Sequence, residues 1–408
     1  MDADRTFVIV GAGHAGGRAA QAMRHYGFEG RVILIGEEPY VPYERPPLSK
    51  DLITGDAGLE KVQLHDAVWY AENQIDLVTG NAATVIDLDR KTVSLADGKT
   101  VPYDKLMLAT GARVRKLPIP GAHQDGVFYL RTLDDCDAIR TRIREGRDVV
   151  VIGGGFIGLE IAGSAVKLGA DVTVLEAANG LMARSLAPEV AAWFASMHRN
   201  RGVDLRLNAT CAAVEGAGIV TGLRLDDNSV IPADIIIIGI GILPNVEMAA
   251  AAGLEVENGI VVDHHGRTSH PDVFAAGDVA NQPNAFAGRR LRLESYQNAQ
   301  DQAAAVARNM CGAEEAYEDS LWVWSDQHDV NLQITGCPDT WNELVWRGNP
   351  DDGGATVFYL DGGRIVAVNT INNGREMRPA QRLMKSGRTF DAATLADLSV
   401  KLIKLAKE

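Results

Sequence analysis

Two glycine-rich turns constrain this chain more than any other feature. The first, Gly11-Ala12-Gly13-His14-Ala15-Gly16, follows the apolar run 7–10, and a second apolar run, 32–35, leads to Glu37. The second, Gly153-Gly154-Gly155-Phe156-Ile157-Gly158, follows residues 149–152, and the run 172–175 ends in Glu176. Each is a complete strand, glycine turn, helix, strand and carboxylate, the unit that holds one dinucleotide. In such a turn the first glycine permits the tight bend. The second removes a side chain that would block a pyrophosphate, and the third lets helix and strand approach closely. The anion rests on backbone N–H groups at the positive end of the helix dipole. Two sites in one chain suggest two dinucleotides that exchange electrons.

A chain of 408 residues is too long for one typical core, so two or three domains are expected. Its formal charge of -14 speaks against nucleic acid as a partner. No apolar run reaches the length of a membrane span, and the charged start, running straight into a strand, leaves no room for a signal peptide. The four cysteines, Cys136, Cys211, Cys311 and Cys337, form no Cys-x-x-Cys pair, so zinc, thiolate-held iron–sulfur and thioredoxin-like chemistry lack their usual spacing. No metal site is expected. A reducing cytoplasm is the expected compartment.

The fold class expected is α/β, with two Rossmann-like dinucleotide-binding domains, one inserted in the other, and a C-terminal α+β domain. Continuous apolar strands such as residues 235–238 fit parallel sheets covered on both faces. Boundaries fall at 1–112 and 244–320 for the first domain and 113–243 for the second. The last domain covers 321–408, where aromatics and alternating strands near 355–360 and 364–369 precede a helical tail. Beyond the glycine loops no tandem repeat is visible.

Glu37 and Glu176 can each accept hydrogen bonds from a ribose diol. Glu176 would repel the 2′-phosphate of NADP, and Ala177-Ala178-Asn179 supplies no compensating cation, so NADH is preferred. Arg184, further along, is either a complication for that preference or a grip on the pyrophosphate. His14 reads as an ordinary residue at a helix start.

With Ala109-Thr110-Gly111, Gly239-Ile240-Gly241-Ile242-Leu243-Pro244-Asn245 and Phe274-Ala275-Ala276-Gly277-Asp278, the opening loop resembles the two-dinucleotide flavoproteins, glutathione-reductase-like in fold. The stretches 43–50, 129–133, 294–299 and 322–327 are similar to one branch, the NADH-dependent ferredoxin reductases of bacterial oxygenase systems. The likeness runs from about Phe7 to the last helix. It implies FAD at the first site, contacted by Gly11, Gly13, Ala15, Gly16, Glu37, Arg45, Lys50, Ala83, Thr110, Gly111, Arg131, Gly277, Asp278 and Tyr296. It implies NADH at the second, lined by Gly153, Gly155, Phe156, Ile157, Gly158, Glu160, Glu176, Arg184, Gly239 and Gly241. Asp278 also has a plainer reading as a helix N-cap.

The resemblance further implies that Lys50 and Glu160 meet beside the flavin ring. There a cation favours negative charge on the ring, and the carboxylate orients the cation and the nicotinamide amide. Disulfide reductases and peroxidases of the superfamily carry redox cysteines just after the first unit, whereas residues 42–50 here contain none. Electrons must therefore leave from the flavin itself. The resemblance places Trp324 on the exit side, with core packing the competing account.

Arg375, Arg378, Arg382, Lys385 and Arg388 recur at helical spacing as a basic strip for an acidic partner; Arg289, Arg290 and Arg292 form a rival patch. The activity implied is NADH:ferredoxin oxidoreductase, passing single electrons to a [2Fe-2S] ferredoxin that feeds a Rieske-type oxygenase or a cytochrome P450 in aromatic hydrocarbon catabolism. The expected assembly is a monomer or weak homodimer. Alternatives are a rubredoxin reductase and an NADH-sensing flavoprotein of the apoptosis-inducing-factor type.

Overall fold

The computed structural model describes residues 3–318, 321–336 and 340–407. The chain divides into two compact units. One comprises Met1–Pro46, Gly58–Arg113 and Ile242–Asp319, the other Pro47–Ala57, Val114–Gly241 and Ser320–Glu408.

The first unit is built on a five-stranded parallel sheet in the order Val273–Ala275, Lys105–Leu108, Thr6–Val10, Arg31–Ile35, Ile75–Val78. Phe7, Val8, Ile9 and Val10 are all buried because both sheet faces are covered. One face meets the helices His14–His25 and Tyr296–Met310, which pack through Ala15, Ala19, Ala20 and Met23 against Ala299, Ala303, Val306 and Met310. Small side chains there let the helices approach closely. The other face, through Val8, Val10, Ile33 and Leu106, packs on a three-stranded antiparallel sheet formed by Ala83–Asp87, Thr92–Leu95 and Thr100–Pro102, and on helix Glu247–Ala251.

The second unit repeats this plan. Its parallel sheet runs Asp204–Leu207, Asp171–Glu176, Asp148–Ile152, Ile235–Ile238, Val127–Phe128, and an antiparallel trio of Cys211–Gly216, Val220–Leu225 and Val230–Pro232 covers one face. The four isoleucines 235–238 are at most 2% exposed, each contributing on the order of 2 kcal/mol by burial. Thr132 closes the start of helix Leu133–Glu145 with a full capping box to Asp135. In both sheets the glycine-loop strand lies centrally, its neighbours reached by connections in opposite directions. Ligands of open α/β sheets bind at the carboxyl ends of strands at such a point.

The same unit contains a five-stranded antiparallel sheet in the order Trp322–Gln327, Val330–Gly336, Arg364–Ile371, Gly354–Asp361, Glu343–Asn349. Helix Met377–Lys385 seals one face with Met377, Ala380, Leu383 and Met384. The repeat is therefore larger than the loops announce: strands, glycine turn and antiparallel insert all recur.

Candidate functional site

Six glycines define two cradles, and what a side chain would meet at each separates two kinds. A Cβ on Gly11, whose φ is +113°, would stand 2.1 Å from the Ala109 carbonyl oxygen, and one on Gly16 would stand 1.9 Å from the Gly11 oxygen. Gly153 and Gly158 repeat this at 2.3 Å from Gly239 O and 2.1 Å from Gly153 O. These four are required by the protein's own packing. Gly13 is different: its Cβ would meet only Arg45 Nη2, at 3.9 Å, and at Gly155 it would meet nothing within 4 Å. Both are the N-cap residues of their helices, where unpaired N–H groups and the positive dipole end face outward. The cradles thus fit a pyrophosphate at each helix mouth, the group that FAD and NAD(H) share.

Around the first cradle, Arg45 is held by Glu38 at 2.7 Å and by the Tyr43 hydroxyl at 3.1 Å. Burial works against its charge, yet Tyr43 and Glu38, with Asp278 adding to them, hold its pKa above the ordinary value. Glu37 is exposed one residue past the buried Gly36; Glu38 carries the ion pair. Tyr296 donates its hydroxyl to Glu44 at 2.7 Å, and its ring meets His14 edge-on at 4.3 Å between centroids. His14, 8% exposed, is the first residue of its helix. Burial, with Arg18 nearby, lowers its pKa to about 4.

Thr110 and Asn245 exchange hydrogen bonds at 2.8 and 2.9 Å, pinning Gly111 in its left-handed turn at φ +61°. Gly277 (φ +79°) would drive a Cβ to 2.9 Å from Ala15. Asp278 lies inside the short turn Gly277–Val279, whose N-cap is Ala276, so the N-cap reading is not the one adopted. Ala83 begins its antiparallel strand.

In the second cradle Glu176 is fixed by two backbone donors, Gly154 N–H to Oε2 and Ala178 N–H to Oε1, both at 2.7 Å. A carboxylate has about four acceptor positions, so lone pairs remain for a ribose diol. Phe156 is half-buried, Ile157 is 45% exposed, and Arg184 is exposed. Gly239 lies at the sheet's end, its N–H donating to Ile152 O at 2.8 Å. Gly241 is exposed at φ +102°.

Lys50 and Arg131 both lie in the second unit. Arg131 is half-buried directly before the Thr132 cap, and its N–H donates to Asp135 at 2.9 Å. Lys50 sits at the N-cap position of the short helix Asp51–Thr54 without a side-chain cap bond, and its Nζ is 3.3 Å from Glu160 Oε1. Glu160 is buried at the second turn of helix Phe156–Lys167, accepting from Ser49 Oγ at 2.5 Å and Ser325 Oγ at 2.7 Å. Burial raises its pKa, with Lys50 and the two hydroxyls opposing. An ion pair so enclosed holds a fixed charge where water cannot screen it.

Trp324 is half-buried, stacked on Trp322 with centroids 5.2 Å apart, and the Lys50 ammonium lies 5.7 Å from its ring. The motif reading missed three members of this cluster, Ser49, Ser325 and Asp326, the last 3.4 Å from Lys50. The one available signal was adjacency: Ser49 precedes Lys50, while Ser325 and Asp326 follow Trp324.

Burial pushes the Cys136 and Cys211 thiols up to about 11, which disfavours thiolates. Cys337 lies outside the described residues. Among the described residues, no three His, Cys, Asp or Glu side chains group as a metal site. Nor is any helix there long and apolar enough to cross a membrane. The strip Arg375, Arg378, Arg382, Lys385 and Arg388 is exposed throughout. In the rival patch Arg290 is tied to the Val262 and Asn281 carbonyls, and Arg292 to Asp278 O and Glu294.

Residues 5–303 match the family described as pyridine nucleotide-disulphide oxidoreductase, and residues 322–406 match the reductase C-terminal family. The chain is 43% identical over 403 residues to the anthranilate 1,2-dioxygenase system ferredoxin--NAD(+) reductase component of Burkholderia cepacia, covering 98% of this chain and 99% of that one. It is 38% identical to putidaredoxin reductase of Pseudomonas putida, covering 98% and 97%. Among solved structures it resembles the ferredoxin reductase for the CYP199A2 system of Rhodopseudomonas palustris (TM-score 0.95, 36% identity, 99% and 100% covered). It equally resembles the covalent putidaredoxin reductase–putidaredoxin complex (TM-score 0.95, 38% identity, 99% of each chain). The chain therefore belongs to the pyridine nucleotide-disulphide oxidoreductase family, in the form that carries a reductase C-terminal domain.

Proposed function

We propose that this chain is the NADH-dependent reductase of a bacterial oxygenase system, taking electrons from NADH and delivering them singly to a [2Fe-2S] ferredoxin. As a family member it uses FAD and NAD(H). When bound, the flavin supplies the capacity to take up two electrons together and release them one at a time. The observation that carries the reading is the pair of middle glycines, Gly13 and Gly155, for which the protein's own packing gives no reason.

In this reading FAD is held through Gly11, Gly13, Ala15, Gly16, Glu37, Arg45, Ala83, Thr110, Gly111, Gly277, Asp278 and Tyr296. NADH is held through Gly153, Gly155, Phe156, Ile157, Gly158, Glu176, Arg184, Gly239 and Gly241. The working domains are 1–112 with 244–320, then 113–243, then 321–408. Lys50 keeps a positive charge where negative charge develops during hydride transfer, and Glu160 fixes its direction. Trp324 serves the side from which electrons leave. The raised pKa values of Cys136 and Cys211 disfavour a thiol route through either of them.

The ferredoxin docks on the basic strip of helix Met377–Lys385, which the rival patch cannot match because Arg290 and Arg292 are already engaged. The partner's electrons continue to an oxygenase. We place the protein in the cytoplasm as a monomer or weak homodimer. Cytochrome c reduction should depend on both NADH and an added acidic [2Fe-2S] ferredoxin, with NADPH a poor substitute. Equal rates with and without every ferredoxin tried would contradict the proposal.

A further inference from the structure

Strand Trp322–Gln327 serves the Lys50–Glu160 pair with both of its faces. Trp324 and Asp326 lie on the side of Lys50, whose Nζ is 5.7 Å from the Trp324 ring and 3.4 Å from Asp326 Oδ2. Ser325 and Gln327, two residues apart and so together on the other face, are fully buried. They open a line of polar groups that ends at Glu160. Ser325 Oγ is 2.7 Å from Glu160 Oε1, Gln327 Nε2 is 3.1 Å from Ser325 Oγ, and His198 Nε2 is 3.0 Å from Gln327 Oε1. His328 Nε2 completes it, 3.2 Å from His198 Nδ1.

All these residues belong to the second unit. Helix Phe156–Lys167 carries Glu160, helix Pro188–Asn200 carries the fully buried His198, and the strand with the turn that follows it carries the rest. That turn is strained: His328 adopts a left-handed φ of +55°. Gly163, three residues beyond Glu160, leaves room for it, since a Cβ there would stand 2.9 Å from His328 N.

The proton positions along the line follow from its charged end. Lys50 and two hydroxyls converge on Glu160 and hold it ionised against the burial that raises its pKa. Oε2 accepts from Ser49, and Oε1 accepts from Lys50 and Ser325. Ser325 has one proton, committed to Glu160, so its oxygen must accept from Gln327, which therefore presents its NH2 group. The other N–H of that group has Met182 Sδ at 3.5 Å, an acceptor only. A reversed amide would set its oxygen against two atoms with no proton to give. Gln327 Oε1 thus faces His198, which must carry its proton on Nε2. Burial lowers the pKa values of His198 and His328 and keeps both neutral, so His198 Nδ1 is bare and accepts from His328 Nε2–H. Every bond in the line donates toward Glu160, and each polarises the next.

Resting on the function proposed above, we infer that Gln327 is a positioning residue for Glu160. Its amide keeps the Ser325 hydroxyl turned toward the carboxylate, and His198 with His328 keeps the amide from turning over. Lys50 and Ser325 share Oε1, so the line also fixes where the Lys50 ammonium sits. No proton changes place and no electron moves; the line sets direction and charge alone.

The test uses the holoenzyme at neutral pH. Nitrogen NMR on isotopically labelled histidine, with the His198 signals assigned by their loss in His198→Asn, should show the His198 proton on Nε2. A proton on Nδ1 would mean a reversed amide and would overturn the inference without any kinetics. In stopped flow, Gln327→Leu and Ser325→Ala should each slow flavin reduction at saturating NADH about tenfold and leave reoxidation by ferricyanide unchanged. The two together should slow reduction no further than either alone. Equal slowing of both half-reactions, or losses that multiply in the double variant, would reduce Gln327 to a packing residue and overturn the inference. If Gln327→Leu keeps the wild-type rate while Glu160→Gln is slow, the inference falls alone. A Glu160→Gln enzyme as fast as wild type would instead overturn the functional reading beneath it.

Discussion

Gly13 and Gly155 differ from the four glycines around them in what a methyl group would cost. At Gly155 it meets no protein atom within 4 Å and the backbone is extended, so Gly155→Ala should fold normally. It should nonetheless raise KM for NADH by about tenfold or more, since the methyl group stands where the pyrophosphate must approach. Gly11→Ala is the converse: φ of +113° and a 2.1 Å clash should lower Tm by several degrees, with a penalty of at least about 1–2 kcal/mol. Thermal melts and NADH-dependent kinetics on the pair separate ligand glycines from packing glycines. Lys50→Met should slow flavin reduction by about a hundredfold while leaving FAD bound, measured by stopped-flow absorbance. The glycine roles were legible in sequence because spacing alone places them on a turn. Ser325 and Asp326 were not, because their importance depends on a strand reaching a lysine far away in the chain.

At the level of elements, helix Met377–Lys385 has two faces with separate duties. Met377, Ala380, Leu383 and Met384 close the C-terminal sheet, while Arg378, Arg382 and Lys385 face solvent. Charge reversal at Arg382 should raise KM for ferredoxin about tenfold and leave that for ferricyanide unchanged. Equal effects on both acceptors would place docking elsewhere. The central parallel strands were readable as unbroken apolar runs. Strands near 355–360 and 364–369 were expected from alternation; Gly354–Asp361 and Arg364–Ile371 do pair as antiparallel strands, but both are buried almost throughout, so the in–out alternation is not the pattern they adopt. The membership of Pro47–Ala57 in the second unit was not. It is secured by scattered bonds, Cys136 Sγ–H to Leu48 O, Ser164 Oγ–H to Ser49 O and Lys167 to Asp56, none of which has a local signature.

Across the whole molecule, histidines held neutral by full or partial burial contribute to the response to acid. His14 and His328 have pKa values lowered from 6.5 to about 4, chiefly by burial, and those of His198 and His65 are lowered too. The unfolded chain binds protons near pH 6.5 that the folded protein refuses until about pH 4, so stability is complete above 6.5 and declines as pH falls toward 4. Calorimetric Tm should drop across that window, and His328→Gln should make the drop shallower. An unchanged slope would exclude His328 from the effect. The duplicated parallel sheets each present one glycine cradle, which leads to the central claim that one chain takes electrons from NADH into its own flavin. Anaerobic titration of the purified, flavin-loaded protein with NADH tests it most directly. The flavin absorbance should bleach stoichiometrically within the mixing time of a bench experiment; a spectrum that stays yellow in excess NADH would contradict the account.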